Sequence, residues 1–231
     1  MKACLLLANS GRYLQISAKR GVNMTVPHQY SDIYISVKFF LTSYRALSDG
    51  KGGIRHLEKH LESTSFPLSE WKVIWIGTCT LLRTATDLFQ VDAKSCINQE
   101  IREEILSEWK LIRENKEDHP IFWEFRQKER NNIIHEYEWA AYEAWMDQDG
   151  TTRPSQMTLL SIKPKDVDPV LVMRGGAYEG RNSLDLLKES AEWVEARISG
   201  AIRRSGFDPD EERNLVNFQT RPPAEKTVLT Q

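Results

Sequence analysis

Apolar residues recur along this chain mostly at steps of three and four, the period of a helix with one buried face. Ile33, Val37, Leu41, Tyr44 and Leu47 form the first such stripe and predict a helix over 32–47, with Ser31 as N-cap. Asp49-Gly-Lys-Gly-Gly53 reads as the turn that ends it, and a short helix over 54–61 follows. Ser65-Phe-Pro67 opens a longer helix, with proline in the first turn, where its missing N–H does no harm. Its apolar face, Trp71, Trp75, Thr78, Leu82, Ala85 and Phe89 among others, is wide enough for two neighbours. Ile97, Ile101, Ile105, Trp109 and Ile112 predict a helix over 98–115. Phe122, Phe125, Ile133, Tyr137, Ala140 and Ala144 predict another over 121–146. Leu184, Leu187, Ala191, Val194, Ile198 and Ala201 predict the last, over 183–203. Asn182 is its N-cap, and Asp185 early and Arg203 and Arg204 late suit the helix dipole.

Two stretches break this rhythm. Residues 157–162 and 170–173 read as short strands around Pro164-Lys-Asp-Val-Asp-Pro169. Residues 1–28 show no clear period; Leu5–Leu7 and Tyr13–Ile16 pair as a hairpin around Asn9-Ser-Gly11, or else form a poorly ordered extension. The expected fold class is all-α: four long helices (66–90, 98–116, 121–146 and 183–204) bundled on their apolar stripes, with an extra N-terminal helix and a small β-hairpin insertion at about 155–175, before the last helix. The expected organisation is an N-terminal extension over 1–28, one helical domain over 29–206 and a flexible polar tail over 207–231 that carries Pro222-Pro223.

Composition narrows the function classes. The 231 residues carry a net charge of −2, with 40% hydrophobic and 28% charged residues, as in ordinary globular proteins. No global basic field draws in nucleic acid, so RNA binding would need a local patch. Cys4, Cys79 and Cys96 lack metal-ligand spacing and suggest reduced thiols in a cytoplasmic protein. No apolar run is long enough to span a membrane, and the run after Met1-Lys2 is too short for a signal peptide. The glycines of 49–53 are not a phosphate-binding loop, because no Gly-Lys-Ser/Thr closes them.

The candidate chemistry lies in the helix predicted over 121–146. Arg130-Asn-Asn-Ile-Ile-His135 places four residues between an arginine and a histidine. Arg55 to His60 and Arg113 to His119 fit the same loose pattern, but the first follows the glycine cluster and the second crosses a predicted helix end. On an α-helix Arg130 and His135 stand roughly 140° apart, whereas Asn131 and His135 share a face.

With its arginine, a polar residue directly after it, and its histidine, this stretch resembles the HEPN superfamily, whose signature is an arginine and a histidine four to six residues apart. The resemblance implies a helical bundle, a homodimer with its site at the interface, no cofactor, and metal-independent cleavage of RNA, serving toxin–antitoxin or phage-defence systems with an antitoxin protein as partner. Under it His135 is the acid–base group, Arg130 stabilises charge on the phosphorus centre, and Asn131 orients the histidine or holds a phosphate oxygen. Attack by a ribose 2′-hydroxyl predicts a 2′,3′-cyclic phosphate product.

Other polar residues are candidates for substrate binding. Arg83, four residues from Asp87, contributes to a polar cleft or to a solvated face. The glycine-rich loop 174–182 delivers Arg174, Tyr178 and Arg181 just before a helix N-terminus, where backbone N–H groups favour phosphate, or is simply a loop needing positive φ. The rival to an endoribonuclease is an inactive module of the same fold for dimerisation, partner docking or nucleotide binding. A DNA-binding regulator is disfavoured, since no short helix pair with a basic recognition helix stands out.

Overall fold

A computed structural model describes residues 13–17, 23–27, 32–62, 70–154 and 166–220 of the chain. Ser31, Leu5–Leu7, Ser65-Phe-Pro67, the strand expected over 157–162 and Pro222-Pro223 lie outside the described residues.

Tyr13–Ser17 (β1) and Asn23–Pro27 (β2) pair as an antiparallel hairpin. Ile35–Ser36 (β3) leads through a 3₁₀ turn, Val37–Phe40, into α1, Thr42–Glu62. The helix therefore starts later than expected and runs straight through the glycines read as a turn. The reason is the next helix, α2, Glu70–Ser95, which packs closely along α1. A Cβ at Gly50 would stand 2.9 Å from Leu82 Cδ2, and one at Gly53 would stand 2.2 Å from Thr78 Oγ1. Each glycine costs a helix about 1 kcal/mol in propensity, and here that cost permits close backbone approach.

Helix α2 is the central element, touching α1, α3, α4 and α5. Its Trp71, Trp75, Leu82 and Phe89 are fully buried, as the width of its apolar face requires. Helix α3, Gln99–Glu114, begins where expected: Asn98 Oδ1 accepts the Ile101 N–H at 3.1 Å. Helix α5, Ser183–Arg204, is capped as expected by Asn182, whose Oδ1 accepts the N–H groups of Leu184 at 2.9 Å and Asp185 at 3.4 Å.

The all-α expectation does not hold. Between α3 and α5 the chain forms a π-helical turn, Ile121–Arg126, and then only a short helix α4, Gln127–Glu136. Tyr137 enters the left-handed region at φ 54°, and its N–H bonds back to Asn132 O, closing the helix. Residues 141–146, expected as helix, instead belong to strand β4, Ala141–Asp147. It is the centre of an antiparallel sheet ordered β5-β4-β6, with β5 at Thr152–Pro154 and β6 at Val167–Met173. The register runs from Ala141 opposite Met173 to Asp147 opposite Val167. A step of four residues is also two steps of a strand, so Ala140 and Ala144 satisfied both periods. In the sheet Ala144 packs with Val170 and Val172 beside Tyr142 and Met146, while Ala141, Leu171 and Met173 join the main core.

A second pair of strands joins the two ends of the domain: Glu212–Arg213 (β7) runs antiparallel to β3. Residues 207–220, polar in sequence, pack against the core through α6, Leu215–Thr220. Phe218 is fully buried, stacked on Phe40 with ring centroids 4.3 Å apart. Among the described residues no helix is long and apolar enough to cross a membrane.

Candidate functional site

The Arg130–His135 stretch lies on α4, which runs antiparallel to α2. Two indoles of α2 hold α4 and the strand β4 that follows it. The Trp75 Nε1–H donates to Glu129 Oε1 at 2.8 Å, and Glu129 also accepts the Ala140 N–H at 3.1 and 3.2 Å. The Trp71 Nε1–H donates to Glu143 of β4. Glu129 is 3% exposed, and burial raises its carboxyl pKa, which the bonds to Trp75 and Ala140 partly offset. It is the clasp between α2, α4 and the start of the sheet.

The sequence-derived site residues do not all meet. Arg130 is half-buried, and its Nη1 donates to Asn131 Oδ1 at 3.0 Å. Arg83 stands near Arg130: its pKa is lowered first by burial and further by the Arg130 charge, against the raising effect of Asp87. Arg83 Nη2 is 2.9 Å from Asp87 Oδ1, and its guanidinium lies 5.2 Å from the Phe122 ring. His135, in the last turn of α4, is exposed, and its side chain makes no hydrogen bond or ion pair among the described residues. Asn131 lies on the opposite wall of α4 from the core and lines a shallow open groove with Lys116, Trp123, Glu124, Gln127 and Lys128. There Lys116 Nζ sits 4.9 Å from the Trp123 ring.

The glycine-rich loop stands apart from His135. Arg174 is exposed over the Tyr142 ring, and Arg181 pairs with Glu189 at 2.9 Å. Tyr178 leaves the loop to meet Phe125 edge-on at 6.0 Å, so the loop touches the π turn through packing. Gly175, Gly176 and Gly180 all have positive φ, the backbone requirement that also accounts for this composition.

One residue passed over in the sequence carries the most unusual environment. Arg126 is 4% exposed. Its Nη2 donates to Leu82 O and Thr86 Oγ1 on α2, and its Nε and Nη1 have no partner among the described residues. Burial, aided by the nearby Arg83 charge, pushes its pKa down to about 9. The neighbouring carboxylate, Asp87, is engaged by Arg83. The guanidinium lies 5.9 Å from the Phe122 ring and 5.7 Å from the Trp193 ring. Ring faces contribute about 0.5–2 kcal/mol, whereas an uncompensated buried charge costs several kcal/mol, so the aromatic neighbours do not offset the burial. Further N–H donors around these rings are also orphaned: Arg83 Nη1, Trp109 Nε1, Trp193 Nε1 and Arg197 Nε. The signal in the sequence was Arg126 itself, four residues after Phe122 and seven before Ile133, a charge on an otherwise apolar stripe.

Among the described residues no group of three His, Cys, Asp or Glu side chains is placed to hold a metal ion. Comparison with protein-family models, with curated proteins and with solved structures yields no match.

Proposed function

We propose that the protein binds the phosphodiester backbone of RNA along the Arg83–Arg130 edge and cleaves it without a metal ion. The observation that carries this reading is the Arg130 Nη1 contact to Asn131 Oδ1 at the rim of a groove, with the Arg130 charge felt at Arg83, a second cation read independently from the sequence. Like charges held together favour an anion between them. In the groove, Trp123 offers a stacking surface and Lys116 and Lys128 offer backbone charge, although Glu117 and Glu124 leave it near neutral.

In the proposed reaction His135 takes the proton of a ribose 2′-hydroxyl. The 2′-oxygen attacks phosphorus, and the 5′-oxygen leaves with a proton, giving a 2′,3′-cyclic phosphate and a 5′-hydroxyl end. Arg130 neutralises the charge that grows on the phosphoryl oxygens. A single chain offers one exposed His135, so a homodimer about a two-fold axis supplies the second acid–base group. A cytoplasmic toxin restrained by an antitoxin protein is the biology that such cleavage would serve.

A second reading has its own observation. Arg130 is already bonded to its neighbour Asn131, and no side chain orients His135. That arrangement favours a module that binds a nucleotide or protein partner without cleaving. Incubation of the purified protein with mixed tRNA and ribosomal RNA in EDTA separates the two. The cleavage reading expects cyclic-phosphate ends from the parent and none from His135→Ala or Arg130→Ala. Equal cleavage by all three, or by none, would sink it.

A further inference from the structure

The geometry points to an oxyanion site of the phosphate class, formed by Arg83, Arg126 and Trp193 around the ring of Phe122. The Phe122 ring lies 5.2 Å from the Arg83 guanidinium and 5.9 Å from that of Arg126, and it stacks on Trp193 at 5.6 Å. Each of the three residues carries at least one buried N–H without a partner among the described residues: Arg83 Nη1, Arg126 Nε and Nη1, and Trp193 Nε1. The orphaned groups are donors only, and two of the three side chains are cationic. Buried groups of that kind are ordinarily satisfied, and an anion with several acceptor oxygens satisfies them together.

The donors are carried by α2, the π turn and α5, three segments that pack against one another. A planar carboxylate accepts in one plane, whereas a tetrahedral phosphate accepts around its whole surface. Arg83 is already paired with Asp87, so the two guanidiniums leave a net positive charge beside the Phe122 ring, which suits an anion. Arg83 and Trp193 are only partly buried, whereas Arg126 is 4% exposed. The site shares Arg83 with the proposed RNA-binding edge but neither His135 nor Arg130, so loss of cleavage and loss of phosphate binding remain distinguishable.

The test is thermal unfolding of the full chain in phosphate, chloride or acetate at one ionic strength and pH. Phosphate is expected to raise the midpoint by several degrees and to saturate, with acetate and chloride alike. Arg126→Met should remove the response and melt no lower than the parent in chloride, because it replaces an uncompensated charge with an apolar chain of similar length. Arg83→Gln should weaken the apparent affinity about tenfold, the loss of one charge-assisted contact. Adding a short RNA without terminal phosphate tells the source: competition with phosphate means the backbone diester reaches the site, and no competition means a free phosphate or monoester does. Equal midpoints in all three salts would overturn the proposal. So would an unchanged phosphate response in Arg83→Gln, which keeps the test decisive should Arg126→Met fail to fold.

Discussion

The α1–α2 seam and the seam between α2 and the segment 121–136 are built from one shared helix but satisfy its polar groups differently. Along α1, contact is made by glycines and aliphatic side chains, and two of the orphaned buried atoms there, Ser43 Oγ and Thr78 Oγ1, are small neutral hydroxyls. Along the other seam the orphans are the Arg83 and Arg126 guanidinium nitrogens and the Gln127 amide oxygen. A buried hydroxyl without a partner is a modest loss, whereas a buried cation without one is a large loss. Under the proposed anion site, the seam that keeps unpaired cations gives up stability for binding, whereas the seam of glycine and leucine carries no such charge.

The strongest way to break this contrast is to remove the residue that belongs to both sides of α2. Trp75 is fully buried in the core and also donates to Glu129. Trp75→Ala should cost about 3–5 kcal/mol from cavity formation, and it also strips Glu129 of a donor. Urea unfolding should show a lower midpoint with an unchanged slope. A loss under 1 kcal/mol would mean that the two seams are not mechanically joined through α2.

Helices α3 and α5 were legible in the sequence, whereas both seams of α2 were only partly so. The apolar stripes gave α3 and α5 nearly to the residue, because Asn98 and Asn182 cap where their side chains predict. The glycines of α1 were misread because a helical glycine and a turn glycine look alike until the partner helix is known. The end of α4 was hidden for a different reason: Tyr137 adopts a left-handed conformation that its residue type does not announce. Beyond it, a period of four residues fits strand as well as helix, so β4 carried no distinguishing mark. At the site, Arg83 and Arg130 were named, but Arg126, a charge on an otherwise apolar stripe, was passed over.

Glu129 gives a sharper and smaller effect. Its Oε1 accepts both the Trp75 indole N–H and the Ala140 N–H. Glu129→Ala leaves two buried donors unpaired and should cost about 2 kcal/mol, whereas Glu129→Gln keeps that oxygen and should cost less than about 1 kcal/mol. The pH dependence separates the variants further. Burial raises the folded carboxyl above its ordinary value near 4.5, so the folded state holds the proton more tightly than the unfolded state does. That contribution to stability is fully present below about pH 4.5 and is lost as pH rises through the folded value. Glu129→Gln should therefore flatten the fall in stability on the alkaline side of pH 4.5 while leaving α4 in place. An identical slope in parent and variant would show that Glu129 is not the titrating group.

The smallest expected change in stability belongs to the residue with the largest expected change in chemistry. His135 is exposed and its side chain has no partner among the described residues, so His135→Ala should shift the unfolding free energy by no more than about 0.5 kcal/mol. Under the proposed reaction the same substitution abolishes cleavage. The two readouts together distinguish a catalytic group from a structural one, which neither does alone. Lost cleavage with full stability keeps His135 at the reacting atoms. Lost cleavage with several kcal/mol of lost stability would mean that α4 had unravelled and that the histidine acted through the fold. Retained cleavage would move the chemistry away from α4 and towards the arginines around Phe122, where the unpaired donors lie.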